Sequence, residues 1–441
     1  IVLLLTEFTS GTHENALKWG ELSPAPGVYD FNDVDPTIDL LEEYGLRVRG
    51  HTLFWNMQRP DWLEDELAAA PDSADRLREL MRVHVQTVVG RYAGRIEQWD
   101  VVNEPLELGG ENLAPDNLFS GELGEEYIDL AFAAAHAADP TAQLFLNETL
   151  ALSLPRKFEG LIALAERLLA RGVPLHGIGL QGHFFVDPPD RATMQEQLER
   201  IADLGLLIEL TEVDLPYFHF QAQPDPFAAQ AESYGDVFAA CLAVPACTGI
   251  TMWGTDDGNS WLDSFLLTSV FRPNRPLLFD AFGQRKPAYF AAVAELAATP
   301  RARRVADAEI DIEPRRAVNR IDPQSAGNVT VLVRGGAGLD VAAIDLGALC
   351  FGPAGAPPES PPIVRDLDRD GEADLLAKFS IAGSLLAVGD TQACVSGRMN
   401  DGRRLRGCDA VQTVIGCGMG VELPLVLVPW MLLRRRRAIA A

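Results

Sequence analysis

Two glutamates carry the clearest chemistry in this sequence. Glu104 follows the run Gln98-Trp99-Asp100-Val101-Val102-Asn103, and Glu212 follows the run Leu206-Leu207-Ile208-Glu209-Leu210-Thr211 and precedes Val213-Asp214. Each stands at the C-terminal end of what reads as a β-strand, so both would face the mouth of one barrel. Two carboxylates so placed supply what cleavage of a glycosidic bond requires. One protonates the leaving oxygen, and the other attacks the sugar or activates water. Asn103, beside Glu104, is placed to hydrogen-bond a sugar 2-hydroxyl. Position alone does not establish these roles, because a strand-end Glu before a Pro is commonly structural.

The residues around the glutamates strengthen the case. Trp55, Trp99, Trp253 and Trp261, four of the seven tryptophans, fall within or beside predicted strand ends. Aromatic faces stack on the C–H faces of sugars, so tryptophans gathered at a mouth suggest saccharide subsites. For Trp99, in mid-strand, filling the core is the better reading. His51 and His183 also lie near strand ends, where a lone histidine is more often a satisfied core residue than a catalyst. If the two glutamates divide the work, Glu212 must be charged and Glu104 protonated, and polar neighbours must separate their pKa values.

The elements that would hold these residues alternate regularly. Strands are expected at 46–51, 96–103, 143–147, 176–181, 206–212 and 248–253, with one more before Glu14. Helical patterns occupy 156–171, 191–204 and 227–243. Strand–helix repetition predicts a parallel sheet in an α/β fold. Seven strands are one short of a (β/α)8 TIM barrel. An open doubly wound sheet is the alternative, but no Gly-rich phosphate loop follows any strand. A barrel over residues 1–300 is therefore expected.

The character of the chain then changes. Residues 301–309 form a polar linker containing Arg301, Arg303 and Arg304, and 310–412 show short alternating runs rich in Val, Ile, Gly, Pro and Asp. That pattern predicts a small β-sandwich. Within it, Asp366, Asp368 and Asp370 alternate before Gly371, with Asp374 following. This is the form of a calcium loop, with oxygens at alternate positions and a glycine at the turn. Ala377 stands where an EF-hand has its Glu, so the choice lies between a different calcium loop and a solvated acidic turn.

Residues 413–441 form the last unit. Residues 416–433 are apolar apart from Glu422, and Arg434, Arg435, Arg436 and Arg437 follow. A run of roughly 17–25 apolar residues spans a bilayer, and the basic cluster fits its cytoplasmic side. A buried terminal helix with a solvated end is the alternative. The chain opens on Ile1 with no basic segment before its apolar first residues, and a missing N-terminal segment is expected.

Composition sets wider bounds. At 441 residues and 47% hydrophobic content there is material for two cores. A formal charge of −26 argues against nucleic acid as a partner and suits an uncharged polymer. Six cysteines are too few for a disulfide-built scaffold. Cys241 with Cys247, and Cys394 with Cys408, are placed to bridge, leaving Cys350 and Cys417; free buried thiols are the other reading. Bridges would agree with an exported protein.

Taken in order, the motifs resemble the family 10 glycoside hydrolases, the endo-β-1,4-xylanases. They begin with Glu14-Asn15-Ala16-Leu17-Lys18-Trp19 and Gly27-Val28-Tyr29-Asp30-Phe31. Arg49-Gly50-His51-Thr52-Leu53-Phe54-Trp55 follows, with Gln58, Pro60 and Trp62. Then come Trp99 to Glu104, Gly179-Leu180-Gln181-Gly182-His183, Thr211 to Asp214, Trp253-Gly254 and Lys286-Pro287-Ala288-Tyr289. The resemblance implies a retaining double displacement with Glu212 as nucleophile and Glu104 as acid/base, acting on xylan or xylo-oligosaccharides with no catalytic cofactor. It implies that Glu14, Asn15 and Lys18 bind the distal glycone sugar, and that His51, Trp55, Gln58, Gln181, Trp253 and Trp261 line the glycone side. His183 would hydrogen-bond Glu212, with Asp214 holding His183, and Cys241–Cys247 resembles a family disulfide. A monomer, secreted or anchored at a bacterial surface, is expected, and the terminal tail resembles those cut by sorting enzymes.

Three departures stand out: Asn56 where the family has His, Glu148-Thr149 where it has Asp-Tyr, and no counterpart of the family's first strand. A saccharide-binding barrel without catalysis, a mannanase or cellulase, and a vestigial surface protein are the competing readings. Both glutamates are present, which speaks against the first. The motifs at 14–18 and 51–55 speak against the second.

Overall fold

The computed structural model describes residues 2–265, 273–299 and 305–413, except 315, 317, 337, 354, 368, 369, 401 and 402. Its first unit is a parallel sheet of seven strands paired in chain order. The strands are β1 (Ser10–Thr12), β2 (Arg47–Trp55), β3 (Gln98–Asn103), β4 (Gln143–Glu148), β5 (Gly177–Leu180), β6 (Leu207–Val213) and β7 (Cys247–Met252). Outside them run α1 (Val2–Glu7), α2 (Trp19–Leu22), α3 (Asp35–Glu43), α4 (Leu63–Ala69), α5 (Ser73–Arg91), α6 (Leu118–Leu123), α7 (Glu126–Ala138), α8 (Pro155–Ala170), α9 (Arg191–Ala202), α10 (Pro226–Ala243) and α11 (Pro287–Ala298). This is the expected TIM-barrel architecture with seven strands, and the edge strands β1 and β7 do not pair with one another among the described residues.

Local sequence explains the elements. Strands such as Leu144-Phe145-Leu146 are apolar on successive residues because both faces of a parallel sheet are covered. The side chains of Asp72, Asp190 and Asp225 accept from backbone amides at the starts of α5, α9 and α10. Gly50 is required by packing: a Cβ there would stand 2.3 Å from the ring of Trp99, which is buried in the core as expected. The three expected helices lie within two residues of their predicted ends. β2 runs four residues past its predicted end, since a register shift between His51 and Phe54 lets pairing with β3 continue to Trp55 opposite Asn103. Beside the gap, Phe8 packs edge-on against Phe279, and Glu7 accepts from Arg285 (2.5 Å) and from the Tyr289 hydroxyl (2.9 Å). The segment before β1 is thereby tied to the region of α11.

The second unit begins at β8 (Val305–Asp307), inside the expected linker. It continues with β9 (Glu309–Ile312), β10 (Arg320–Ile321), β11 (Asn328–Arg334), β12 (Ile344–Phe351), β13 (Ile363–Arg365), β14 (Asp374–Ser380), β15 (Gln392–Met399), β16 (Arg404–Ala410) and β17 (Gln412–Thr413). Two four-stranded sheets, β13-β14-β11-β9 and β12-β15-β16-β8, enclose an apolar core separate from that of the barrel, with β10 and β17 paired beside them. Cys241–Cys247 and Cys394–Cys408 are both bonded; the second joins directly opposed residues of β15 and β16. Cys350 is a free thiol, and Cys417 lies outside the described residues. No helix among the described residues is long and apolar enough to cross a membrane, and the apolar segment 416–433 with its arginines lies outside them.

One core residue makes stability depend on pH. His84 of α5 is fully buried, stacked on Trp19 at 4.4 Å and close to Tyr29 and Phe54. Burial disfavours the imidazolium and pushes its pKa down to about 3, opposed only in part by the Leu53 backbone. The unfolded chain binds this proton near pH 6.5 and the folded chain does not, so the contribution is present above that pH and is lost as pH falls towards 3. The loss is about 1.4 kcal/mol per pH unit over that window. His84→Phe keeps the stack, and denaturant melts between pH 6.5 and 4 should show it losing less stability than the parent. Parallel profiles would contradict this origin.

Candidate active site

The site lies at the C-terminal ends of the strands and is organised around Glu212. This carboxylate, at the end of β6, is 4% exposed. Its Oε1 accepts from Asn147 Nδ2 (2.7 Å), its Oε2 meets His183 Nε2 (3.0 Å), and His51 Nδ1 stands 3.9 Å from Oε1. Burial by itself would raise the Glu212 pKa. The charge of His51, with the hydrogen bonds from His183 and Asn147, overcomes that and holds it down to about 2. The group is an ionised, oriented carboxylate.

His183 is itself held. Its Nδ1 lies 2.8 Å from Asp214 Oδ2, an oxygen that also accepts from Trp261 Nε1 at 3.0 Å. Burial opposes protonation of the ring, but the Asp214 and Glu212 carboxylates on its two sides outweigh burial and raise its pKa to about 10. The imidazolium therefore donates to both carboxylates.

Glu104 is placed differently. It follows β3, is half-buried, and has a left-handed backbone with φ of 53°. Such a conformation at a non-glycine residue costs on the order of 1–3 kcal/mol and persists where the surroundings impose it. Here Glu104 N donates to Asn147 O at 2.9 Å. Its Oε1 accepts from Gln181 Nε2 (2.8 Å) and, at the limit of reach, from Asn103 Nδ2 (3.5 Å). Its hydrogen-bond partners are neutral amides, where Glu212 has an imidazolium.

A chain of amides joins the two glutamates. Asn147 Oδ1 accepts from Thr211 Oγ1 (2.7 Å), which turns Asn147 Nδ2 towards Glu212 and Asn103 Oδ1 (2.8 Å). Asn103 Oδ1 also accepts from Gln181 Nε2 (3.4 Å), leaving its own Nδ2 on the Glu104 side. Gly179 makes this possible, since a Cβ there would come within 2.3 Å of Asn147 Oδ1.

The other expected residues gather beside this core. Lys18 Nζ donates to Gln58 Oε1 (2.6 Å) and Asn15 Oδ1 (3.0 Å) and sits 4.6 Å over the Trp55 ring. Burial lowers the Lys18 pKa, while the charges of Glu212, Glu14 and Glu104 oppose the fall. Glu14 and Asn15 are exposed at the rim. Trp253 stands edge-on to His51 (5.2 Å) and His183 (6.1 Å), and Trp261 lies 4.9 Å from His183. One cleft thus offers an ionised carboxylate, a second carboxylate among neutral donors, aromatic walls and a cation, which is the equipment for hydrolysing a glycosidic bond.

Several participants escaped the sequence reading. Asn147, the last residue but one of β4, stands opposite Asn103, and that shared register was the available signal. Asp100 accepts from Arg49 through both carboxylate oxygens and holds His51 Nδ1 at 2.9 Å, so Arg49 and Asp100 orient His51 from inside the barrel. Asn56 has a clear role: its Oδ1 accepts from Leu118 N (2.9 Å) and its Nδ2 donates to Asp116 O (3.2 Å), fastening the far end of the loop after Glu104.

The acidic turn of the second unit binds its own backbone. Asp374 accepts from Gly335 N and Leu367 N, Asp366 from Gly371 N and Asp370 from Glu372 N, while Asp368 lies outside the described residues. Among the described residues no three His, Cys, Asp or Glu side chains are grouped to hold a metal ion.

Comparison with known proteins agrees with the geometry. Residues 2–295 match the sequence profile of glycosyl hydrolase family 10. The endo-1,4-beta-xylanase B of Paenibacillus barcinonensis is 35% identical over 292 residues, covering 64% of this chain and 87% of that protein. The beta-1,4-xylanase of Dictyoglomus thermophilum is 36% identical over 301 residues, covering 65% and 82%. Among solved structures, xylanase 10B from Thermotoga maritima superposes with a TM-score of 0.61 at 32% identity, over 66% of this chain and 87% of that one. Xylanase 10B from Thermotoga petrophila, solved in complex with xylobiose, superposes with a TM-score of 0.60 at 31% identity, over 66% and 86%. With its profile matched across the whole barrel and the two strand-end glutamates joined in one network, this chain belongs to glycosyl hydrolase family 10.

Proposed function

We propose that the chain is a retaining endo-β-1,4-xylanase in which Glu212 is the nucleophile and Glu104 the acid/base. The observation that carries the assignment is the difference between the two carboxylates: Glu212 is kept ionised by His51, His183 and Asn147, and Glu104 has only neutral hydrogen-bond partners. In the first step Glu212 attacks the anomeric carbon while Glu104 passes its proton to the leaving oxygen, forming a covalent glycosyl-enzyme. Glu104, now a carboxylate, takes a proton from water; the oxygen attacks the same carbon and frees Glu212. Lys18, Asn15 and Gln58 bind hydroxyls of the distal sugar, Trp55 and Trp253 wall the glycone side, and Asn103 serves the 2-hydroxyl. Xylan as the polymer is supported by the xylanase relatives and by the xylobiose bound to the Thermotoga petrophila protein. Secretion or surface anchoring belongs to the same proposal, supported by the two disulfides and by a substrate too large to enter a cell.

Glu212→Gln should lower kcat/KM on xylan at least about a thousandfold, and Glu104→Gln about 10²–10⁴-fold, the usual worth of an acid–base group. Reducing-sugar release from xylan, cellulose and mannan measures both, and either variant retaining parent activity sinks the assignment. His183→Ala removes the donor that opposes burial, so the Glu212 pKa should rise. The acid limb of the kcat/KM–pH profile should then move up by at least about one unit. An unmoved limb would show that His183 does not set the charge of Glu212.

A further inference from the structure

The wall behind Glu104 contains an ion pair that the double displacement does not use. Glu148, the last residue of β4, and Lys157 of α8 are both fully buried, with Lys157 Nζ 2.9 Å from Glu148 Oε1. The contact is an ion pair off the line of a well-formed hydrogen bond. Packing alone does not call for it, because a buried pair of charges is commonly no better for stability than apolar residues of the same volume. The rest of the Glu148 carboxylate shows what it does. Oε1 accepts from Thr149 N (2.9 Å), and Oε2 accepts from Leu106 N (3.1 Å), two residues beyond Glu104.

The backbone on either side of Glu104 is therefore fastened to β4 at two points: Glu104 N to Asn147 O, and Leu106 N to the Glu148 side chain. Between the two points lies the left-handed bend at Glu104. Glu148 O also accepts from Gln181 N (3.0 Å), so the same residue steadies the strand whose Gln181 side chain donates to Glu104. Lys157, anchored on a helix, fixes the carboxylate that holds Leu106.

We propose that Glu148, clamped by Lys157, is a positioning residue for the general acid: it fixes the bend that aims Glu104 at the glycosidic oxygen. This rests on the reading of Glu104 as the acid. Burial, with repulsion from Glu104, pushes the Glu148 carboxyl up to about 7 against the pull of Lys157.

The test separates aim from folding by the leaving group. A xylo-oligosaccharide departs as a sugar alkoxide and needs the proton, whereas 2,4-dinitrophenyl β-xylobioside departs as a stable phenolate and does not. In the full chain, Glu148→Leu/Lys157→Met removes the clamp without stranding a charge. It should lower kcat/KM on xylohexaose about 10–100-fold, change the dinitrophenyl value less than about threefold, and leave KM for xylohexaose unchanged. Glu148→Gln/Lys157→Met restores an oxygen for Leu106 N and should recover part of the loss. If the Leu/Met protein does not fold, the Gln/Met protein carries the test through the same ratio of the two substrates. Equal losses on both substrates, or no loss on either, would overturn the proposal. Glu104→Gln run alongside distinguishes the failures. If it too lacks leaving-group selectivity, Glu104 is not the acid; if it shows that selectivity and the Glu148 variants do not, only the role of Glu148 falls.

Discussion

A carboxylate that must be both buried and ionised sets the terms for the rest of this site. Glu212 is almost wholly withdrawn from water, and desolvation alone would neutralise it. Its charge survives because two donors and a nearby charge arrive from three other strands: Asn147 from β4 and His183 from just beyond β5 donate, and His51 from β2 acts through its charge. Each of these groups is then held by something else. Asp214 and Trp261 fix His183, Thr211 turns Asn147, and Asp100 with Arg49 orients His51. A parallel barrel is the arrangement that points so many strand ends at one place.

Glu104 illustrates the complementary requirement. As the proposed acid and later base it must exchange its proton readily, and it sits in a half-buried position among neutral amides. What is imposed on it is direction rather than charge. Its left-handed backbone is maintained by Asn147 O on one side and by the Glu148–Leu106 bond on the other, while Asn56 fastens the end of the same loop near Leu118. Two of the residues that depart from the family pattern, Asn56 and Glu148, thus hold the segment that follows Glu104.

The two units of the chain have separate apolar cores, and the residues of the cleft all come from the first. Among the described residues β1 and β7 do not pair with one another, yet the strands that carry the glutamates, β3 and β6, are each paired on both sides. The constellation is therefore built on interior strands. The tie of Glu7 to Arg285 and Tyr289 adds a link between the segment before β1 and the region of α11.

Much of this was legible in the residues themselves. Alternating strands and helices, glutamates at two strand ends, and tryptophans and histidines beside them specify a barrel with a saccharide cleft, because periodicity and strand-end position are properties of local sequence. The pairing Glu212–His183–Asp214 was expected from ordered motifs and stands at hydrogen-bond distance, and Lys18 and Asn15, expected with Glu14 at the distal subsite, meet Gln58, expected along the glycone side. Other features had no local signature. Asn147 reads as an ordinary strand residue until register sets it beside Asn103, and Glu148 with Lys157 looks like two surface charges until folding buries both. The end of β2 was missed for the same reason: Thr52 to Trp55 stays extended only because β3 lies alongside to pair with it. Sequence by itself determined which groups are candidates for the chemistry and the kind of scaffold that carries them. Their ionisation and aim were decided only by the tertiary structure, because desolvation and hydrogen bonding between strands distant in the chain exist only once the barrel has formed.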